Sequence, residues 1–573
     1  MKRLLLPLVA VALAACATPT APTAHTPPER PNILLIVADD LGYSDLGAFG
    51  GEIRTPHLDR LARQGTRMTS FYASPFCSPS RAMLLTGVDN HKAGYGDMES
   101  LMVPQQKGKP GYEGFLNERV LPVSQALRDA GYRTLMGGKW HLGNSEAHSP
   151  AQGGFGRSFA VTRGAVDHFG GPYALVPRDR QPPDMYRVDG KPWQPPRDGF
   201  YTSEVFTDKL IGYLEETRPS GKPFFAYLAF TAPHWPIQAP DEDIARVGAR
   251  YDAGYAAIRD ARLQRMKAMG LVDAGTAAAA AHKGWPDWNA LSPAQRASES
   301  RRMAVYAAMV ENMDRQIGRV LQYLQARGEL DNTFVLFLSD NGADGNSVHD
   351  FGRAQAMKQH GIDNSTASVG RRGSFADYGP GWAQVGMTPF RLYKTFMYEG
   401  GIAVPAIASG PGVEQGVIRR DPAHVTDVVP TLLSLAQAHP QLSPGMHAPQ
   451  GRPMVDWLAG RSARLHPQDH AFGWELGGRK AVRMGDWKLV QANAPWGSGQ
   501  WELYDLASDR AEQHDLAARH PQKVQQLLQA WREYVAANGV LEIEGLAARP
   551  GYGNGTSYYR ALAEESAAAG ASR

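Results

Sequence analysis

A chain of 573 residues with a formal net charge of +3 is too long for one minimal domain and can bury a large core. Its near-neutral balance, without a Lys/Arg block, excludes nucleic acid as the main partner. Two cysteines, Cys16 and Cys77, leave no room for a disulfide framework.

The first element is a leader. Lys2-Arg3, the apolar run Leu4 to Ala15 and the small residues before Cys16 resemble a bacterial lipoprotein signal over residues 1–15. The run is too short to cross a bilayer as a helix. Cleavage before Cys16 would put a lipid on that residue, so the expectation is an exported, periplasmic lipoprotein that meets the membrane through Cys16 alone. Cys77 then remains as the one thiol. Residues 16–30, rich in Pro, Thr and Ala, are expected to form a semi-extended tether.

Folded structure is expected from residue 31. Asn32 to Ala38 is apolar on both faces, as a strand buried between helices must be, and Pro223 to Phe230, Thr333 to Leu338 and Ile402 to Ser409 are similar. Helical patterns lie between them: Thr55 to Ala62 with a cap and an early proline, Leu121 to Ala130, and Met303 to Arg327. This alternation predicts an α/β domain over 31–465 with a large, mostly parallel sheet sandwiched by helices. Short polar-interleaved strands at Phe472–Leu476, Lys480–Met484, Trp487–Gln491 and Trp501–Tyr504, then a helix at Pro521–Ala536, predict a small antiparallel sheet with one helix over 466–545. The tail, 546–573, is expected to be loop.

Chemistry-bearing residues collect where strands end. Asp39-Asp40 follow the first strand and Asp340-Asn341 follow the one that begins at Thr333, at the edge where open α/β sheets bind ligands. Such pairs cap turns. Together they also offer hard oxygen ligands, which suit calcium or magnesium over zinc. Cys77-Ser78-Pro79-Ser80-Arg81 opens a helical stretch that runs to Thr86-Gly87. A nucleophile there faces the free N–H groups of a helix start, with Arg81 one turn on. Lys139-Trp140-His141, if extended, puts an ammonium and an imidazole on one side, able to hold an oxyanion and move a proton. His234, in Ala232-Pro233-His234-Trp235-Pro236, and Lys394 are weaker signals by themselves. His57, His91, His148 and His168 are read as surface residues.

The run Cys77 to Gly87 and the block Gly131 to Gly143 resemble the two signatures of the sulfatase family, in that family's order. The likeness extends from about Pro31 to Val540 and is closest to bacterial arylsulfatases, within the alkaline phosphatase superfamily. It implies an alkaline-phosphatase-like fold and hydrolysis of aryl or alkyl sulfate esters. It further implies that a formylglycine-generating enzyme converts Cys77 to formylglycine, whose hydrate attacks sulfur and then expels sulfate. One Ca2+, with Mg2+ as the alternative, would be held by Asp39, Asp40, residue 77, Asp340 and Asn341. Arg81 would hold the hydrate, and Lys139, His234 and Lys394 would offset sulfuryl charge. His234, with Lys394, would protonate the leaving group and His141 would take the second hydroxyl's proton. Val88 stands where many members carry a basic residue, which bears on substrate contacts. Competing readings are a phosphonate monoester or phosphodiester hydrolase of the same superfamily, and a non-catalytic lipoprotein that binds sulfated glycans.

Overall fold

The computed structural model describes residues 30–172, 174–177, 185–282, 284–349, 353–548 and 556–571. The leader and nearly all of the tether, Cys16 included, lie outside the described residues. No helix among those described is long and apolar enough to cross a membrane.

Eleven strands form the main sheet: β1 (Asn32–Ala38), β2 (Gly65–Tyr72), β3 (Arg133–Lys139), β4 (Arg157–Val161), β5 (Tyr186–Val188), β6 (Lys191–Trp193), β7 (Phe224–Ala229), β8 (Thr333–Ser339), β9 (Ala403–Ser409), β10 (Val417–Arg419) and β11 (Ala423–His424). Their order is β10-β2-β9-β8-β1-β7-β3-β4-β5-β6, with β11 also on β2. β1 runs parallel to both neighbours, Ala38 level with Ser339 of β8 and Val37 level with Ala229 of β7. β9 is antiparallel to β8 and β2.

The unbroken apolar sequence of β1 follows from this central place. Leu34, Ile36 and Ala38 point into one core layer and Ile33, Leu35 and Val37 into the other. Each fully buried Leu or Ile of this kind stabilises the fold by about 1.5–3 kcal/mol. Helix Pro293–Ala326 covers the first face and begins ten residues before the expected Met303, because Ser292 and Gln295 form a reciprocal capping box around Pro293. Helix Cys77–Thr86 is buried along its whole length on the other face.

β12 (Ala471–Leu476), β13 (Arg479–Met484), β14 (Trp487–Gln491) and β15 (Trp501–Asp505) form a separate antiparallel sheet. Helix Pro521–Asn538 packs Leu527, Ala530 and Trp531 against Val482, Leu489 and Leu503. Part of the tail departs from expectation: Thr556–Ala571 is helical, with Tyr558 buried and its hydroxyl bonded to Glu299 of the long helix. Burial of that aromatic ring orders a segment whose composition alone gives little reason for order.

The small sheet is pinned to the large one by buried polar contacts. Lys488 Nζ lies 3.0 Å from Glu399 and 2.8 Å from Glu512, and Trp474 Nε1 donates to the Ala73 carbonyl. His91, read from sequence as a surface residue, is 2 % exposed and bridges Asp89 at 2.9 Å and Glu475 at 3.0 Å. Burial works against its charge, but the two carboxylates outweigh it and push its pKa up to about 10. The proton it holds in the folded state is therefore lost on unfolding at neutral pH. The stability lost in His91→Gln, read from urea unfolding, is expected to be largest below about pH 6.5 and to shrink as pH rises toward 10. A pH-independent difference would mean that His91 is neutral.

Candidate active site

β1, β3, β7 and β8 are adjacent and parallel, so their carboxyl ends meet at one edge. Asp39 and Asp40 follow β1, and Asp340 and Asn341 follow β8 one step away. The Asp340 N–H donates to the Ala38 carbonyl at 3.1 Å, and the Asp40 N–H to Asp340 Oδ1 at 3.3 Å. Cys77 is the first residue of its helix, which returns from the end of β2. Lys139 closes β3, and His234 lies beyond the end of β7. Lys394 arrives from the segment before β9, its N–H held by the Ala343 carbonyl.

All ten residues singled out from sequence are thereby gathered at one edge. Asp39, Asp40, Asp340, Asn341, Arg81, Lys139, His234, Lys394 and Cys77 are buried, and His141 sits half-buried on the pocket wall. Asp40 (φ 64°), His141 (φ 55°) and Thr395 (φ 80°), beside Lys394, adopt the left-handed backbone that non-glycine residues rarely take. Strain of this kind persists where surrounding contacts over-determine it. The expected extended geometry of Lys139-Trp140-His141 ends at Lys139. Trp140 turns into the core and donates to the His148 carbonyl, while His141 turns into the pocket.

Charge is balanced pair by pair. Lys139 Nζ donates to Asp39 Oδ2 at 2.6 Å. Arg81 donates through Nε to Asp340 Oδ2 at 2.9 Å and through Nη1 to the Lys139 carbonyl at 3.0 Å. Its Nη2 is buried without a hydrogen-bond partner, 2.8 Å from Asp340 Oδ2. Lys394 Nζ lies 2.8 Å from Asp40 and 3.0 Å from Asp344. Asp344 was not identified from sequence. Its Oδ2 also accepts from Trp235 Nε1, and its Oδ1 accepts from the Asn346 backbone and side chain. The Asp-Asn-Gly-Ala-Asp run was its one signal, since a further acid so close to a strand end must share that edge. His168, read as a surface residue, is 1 % exposed, and its Nε2 contacts the His234 carbonyl at 3.1 Å.

Four carboxylates face three fixed cations, and the imbalance appears in their ionisation. Burial, opposed by Lys139, pushes Asp39 up to about 6. Burial likewise holds Asp40 well above the carboxylate range despite Lys394. Asp340 is also buried, but Arg81, Lys139 and Lys394 together outweigh that cost and keep it low. Asp39 Oδ1 and Asn341 Oδ1 are buried acceptors without a hydrogen-bond partner. Oxygen donors of Asp39 and Asp340 lie within 4.8 Å of one another and of Cys77 Sγ, and Asp39, Asp40 and His234 form a second such group. Orphaned oxygens and carboxyls pushed upward are what a buried acidic cluster shows when built for one more positive charge, and the all-oxygen core suits a hard cation.

The pocket holds about 190 Å³. Cys77, His141, His234 and Lys394 reach its wall, with Phe76, Tyr95, Met98 and Trp235 nearer the apolar part. Burial, opposed by Lys139 and Lys394, pushes the Cys77 thiol up to about 11. An unmodified thiol here is protonated at neutral pH and is a poor nucleophile. Burial, then Lys139, holds His141 well below its usual range, and burial, then Lys394, does the same for His234. Both imidazoles are therefore neutral.

A cysteine at a helix start, ringed by cations and neutral imidazoles over a buried acidic cluster, is an arrangement suited to binding an anionic ester. The family model for sulfatases matches residues 31–438, and the chain belongs to the sulfatase family. It is 42% identical to an arylsulfatase of Klebsiella aerogenes over 72% of this chain and 88% of that protein. It is 40% identical to an uncharacterised sulfatase of Schizosaccharomyces pombe over 90% of this chain and 95% of that one. A crystal structure of Ps i-CgsB with a neocarrahexaose superposes with a TM-score of 0.63 at 22% identity, covering 94% of this chain and 97% of that one. The protein is a sulfuric ester hydrolase with the sulfatase fold.

Proposed function

We propose that the protein is an arylsulfatase-like enzyme in which residue 77 works as formylglycine and Asp39, Asp40, Asp340 and Asn341 hold one Ca2+, with Mg2+ as the alternative. The placement of Cys77 carries this reading. Its Sγ occupies the position that an oxygen of the converted residue would take, beside Asp39 and Asp340 and open to the pocket that His141, His234 and Lys394 face. A buried thiol held protonated has little use there, whereas an aldehyde hydrate supplies an oxygen nucleophile and a second hydroxyl through which sulfate can leave. The cation, when bound, supplies Lewis-acid polarisation and offsets charge on the transferring oxygens.

The chain's own residues do the rest. Lys394, kept charged by Asp344 and Asp40 despite burial, binds the sulfate and stands as a proton source toward the leaving oxygen. His234 is held neutral in the free enzyme by burial and then by Lys394 and Lys139; it takes up a proton from solvent as the anionic ester binds and offsets that field, and passes this proton to the leaving oxygen. Its Nδ1 contacts the Trp235 carbonyl, and its Nε2 faces Asp40 at 3.4 Å. His141, held neutral, is suited to take the proton from residue 77 as sulfate departs. Lys139 ties Asp39 in place, and Arg81 orients Asp340. Export through the leader and anchoring by lipid on Cys16, with maturation by a formylglycine-generating enzyme, complete the proposal.

Four experiments test it. The peptide carrying residue 77, from protein made in its own host, is expected to be lighter than the cysteine form by the thiol-to-aldehyde change. Such protein should hydrolyse 4-nitrophenyl sulfate well ahead of a matched aryl phosphodiester. Cys77→Ser should stall after one turnover, because an ordinary alcohol lacks the second hydroxyl; sustained hydrolysis by that variant would refute the elimination. Chelation of divalent ions should lower the Tm of the wild type and added Ca2+ should restore it, while Asp40→Asn should lose most of that Ca2+-dependent shift. Restoration by Mg2+ but not by Ca2+ would assign the smaller ion.

A further inference from the structure

One cation in the active-site pocket has no partner among the described residues. Arg163 lies two residues beyond β4 and lines the same pocket as Cys77, His141 and Lys394. Its Nε is buried without a hydrogen-bond partner, and it forms no ion pair among the described residues. The neighbouring charges are all engaged. Lys394 is paired with Asp40 and Asp344, and Asp344 also holds Trp235 and Asn346. Glu99, on the exposed rim, accepts from Asn144 Nδ2 at 3.0 Å.

A half-enclosed guanidinium with an unsatisfied donor is unfavourable unless a ligand completes it. Its location says which part of a ligand that is. The turn that carries it is pressed against His141: a Cβ on Gly164 would sit 2.6 Å from His141 Cε1. Arg163 therefore stands beside the reacting centre, while the inner cations Lys139 and Arg81 are committed to Asp39 and Asp340. A guanidinium fork matches a planar carboxylate or the oxygens of a sulfate.

We infer that Arg163 binds a second oxyanion on the leaving group, a carboxylate or a further sulfate, so that the preferred substrates are sulfate esters whose alcohol half is itself anionic. This rests on the sulfatase reading above.

The test compares phenyl sulfates bearing a ring carboxylate, a second sulfate or a neutral carboxamide, in ortho, meta and para isomers, with wild-type enzyme, Arg163→Gln and Arg163→Lys. In at least one isomer the wild type is expected to favour an anionic substituent over the carboxamide by about tenfold or more in kcat/KM. The favoured substituent distinguishes a carboxylate from a second sulfate. Arg163→Gln should bring that ratio to about one by losing the charged substrate, and Arg163→Lys should keep part of the preference. Equal loss on charged and neutral substrates would assign Arg163 to the reacting sulfate and overturn the inference. A wild type that turns over every compound without preference also overturns it and leaves the sulfatase reading standing. No turnover of any compound would remove that reading and this inference with it.

Discussion

The site depends on one constraint: four carboxylates brought to a single sheet edge out of reach of bulk water. Parallel pairing of β1 with β8 puts Asp39 and Asp40 against Asp340, and the fold tolerates this because cations from elsewhere in the chain reach in. Lys139 comes from β3, Arg81 from the Cys77 helix and Lys394 from the approach to β9. In so dry a place, leaving any carboxylate unpaired costs several kcal/mol, so the arrangement holds these segments in register. The same balance sets the chemistry. Burial, helped by the lysines that neutralise the acids, depresses His141 and His234, and burial denies Cys77 its thiolate. Electrostatics that stabilise the apex of the sheet thus choose which groups carry protons.

The C-terminal sheet takes part in this support. Trp474 binds the Ala73 carbonyl, a few residues before Cys77, and Arg479 donates to the Thr395 carbonyl, the residue after Lys394. Lys488 satisfies Glu399, where the Lys394 segment turns into β9. The loops that carry Cys77 and Lys394 are therefore braced from outside the main domain, by bonds to backbone oxygens that fix position without adding charge to the pocket.

Much of the fold was legible because burial on both faces writes itself as an unbroken apolar run. β1, β7, β8 and β9 announced themselves this way, and the alternating strands of the small sheet did so by period. Less legible were contacts made by residues far apart in sequence. The Thr556–Ala571 helix reads as an alanine-rich tail until Tyr558 meets Glu299. His91 and His168 look like ordinary polar residues until Asp89 with Glu475, and the His234 carbonyl, are found beside them.

By itself the sequence determined which residues could carry the chemistry, since their types and their offsets within Cys77–Gly87 and Gly131–Gly143 are local facts. It also determined that acids would stand at strand ends. Only the tertiary structure decided which cation neutralises which acid, that Arg81 binds Asp340, that Asp344 holds Lys394, and that Arg163 is left without a partner among the described residues. Those outcomes depend on distances between segments up to 354 residues apart along the chain and on how much water the packing excludes. No local pattern encodes either quantity.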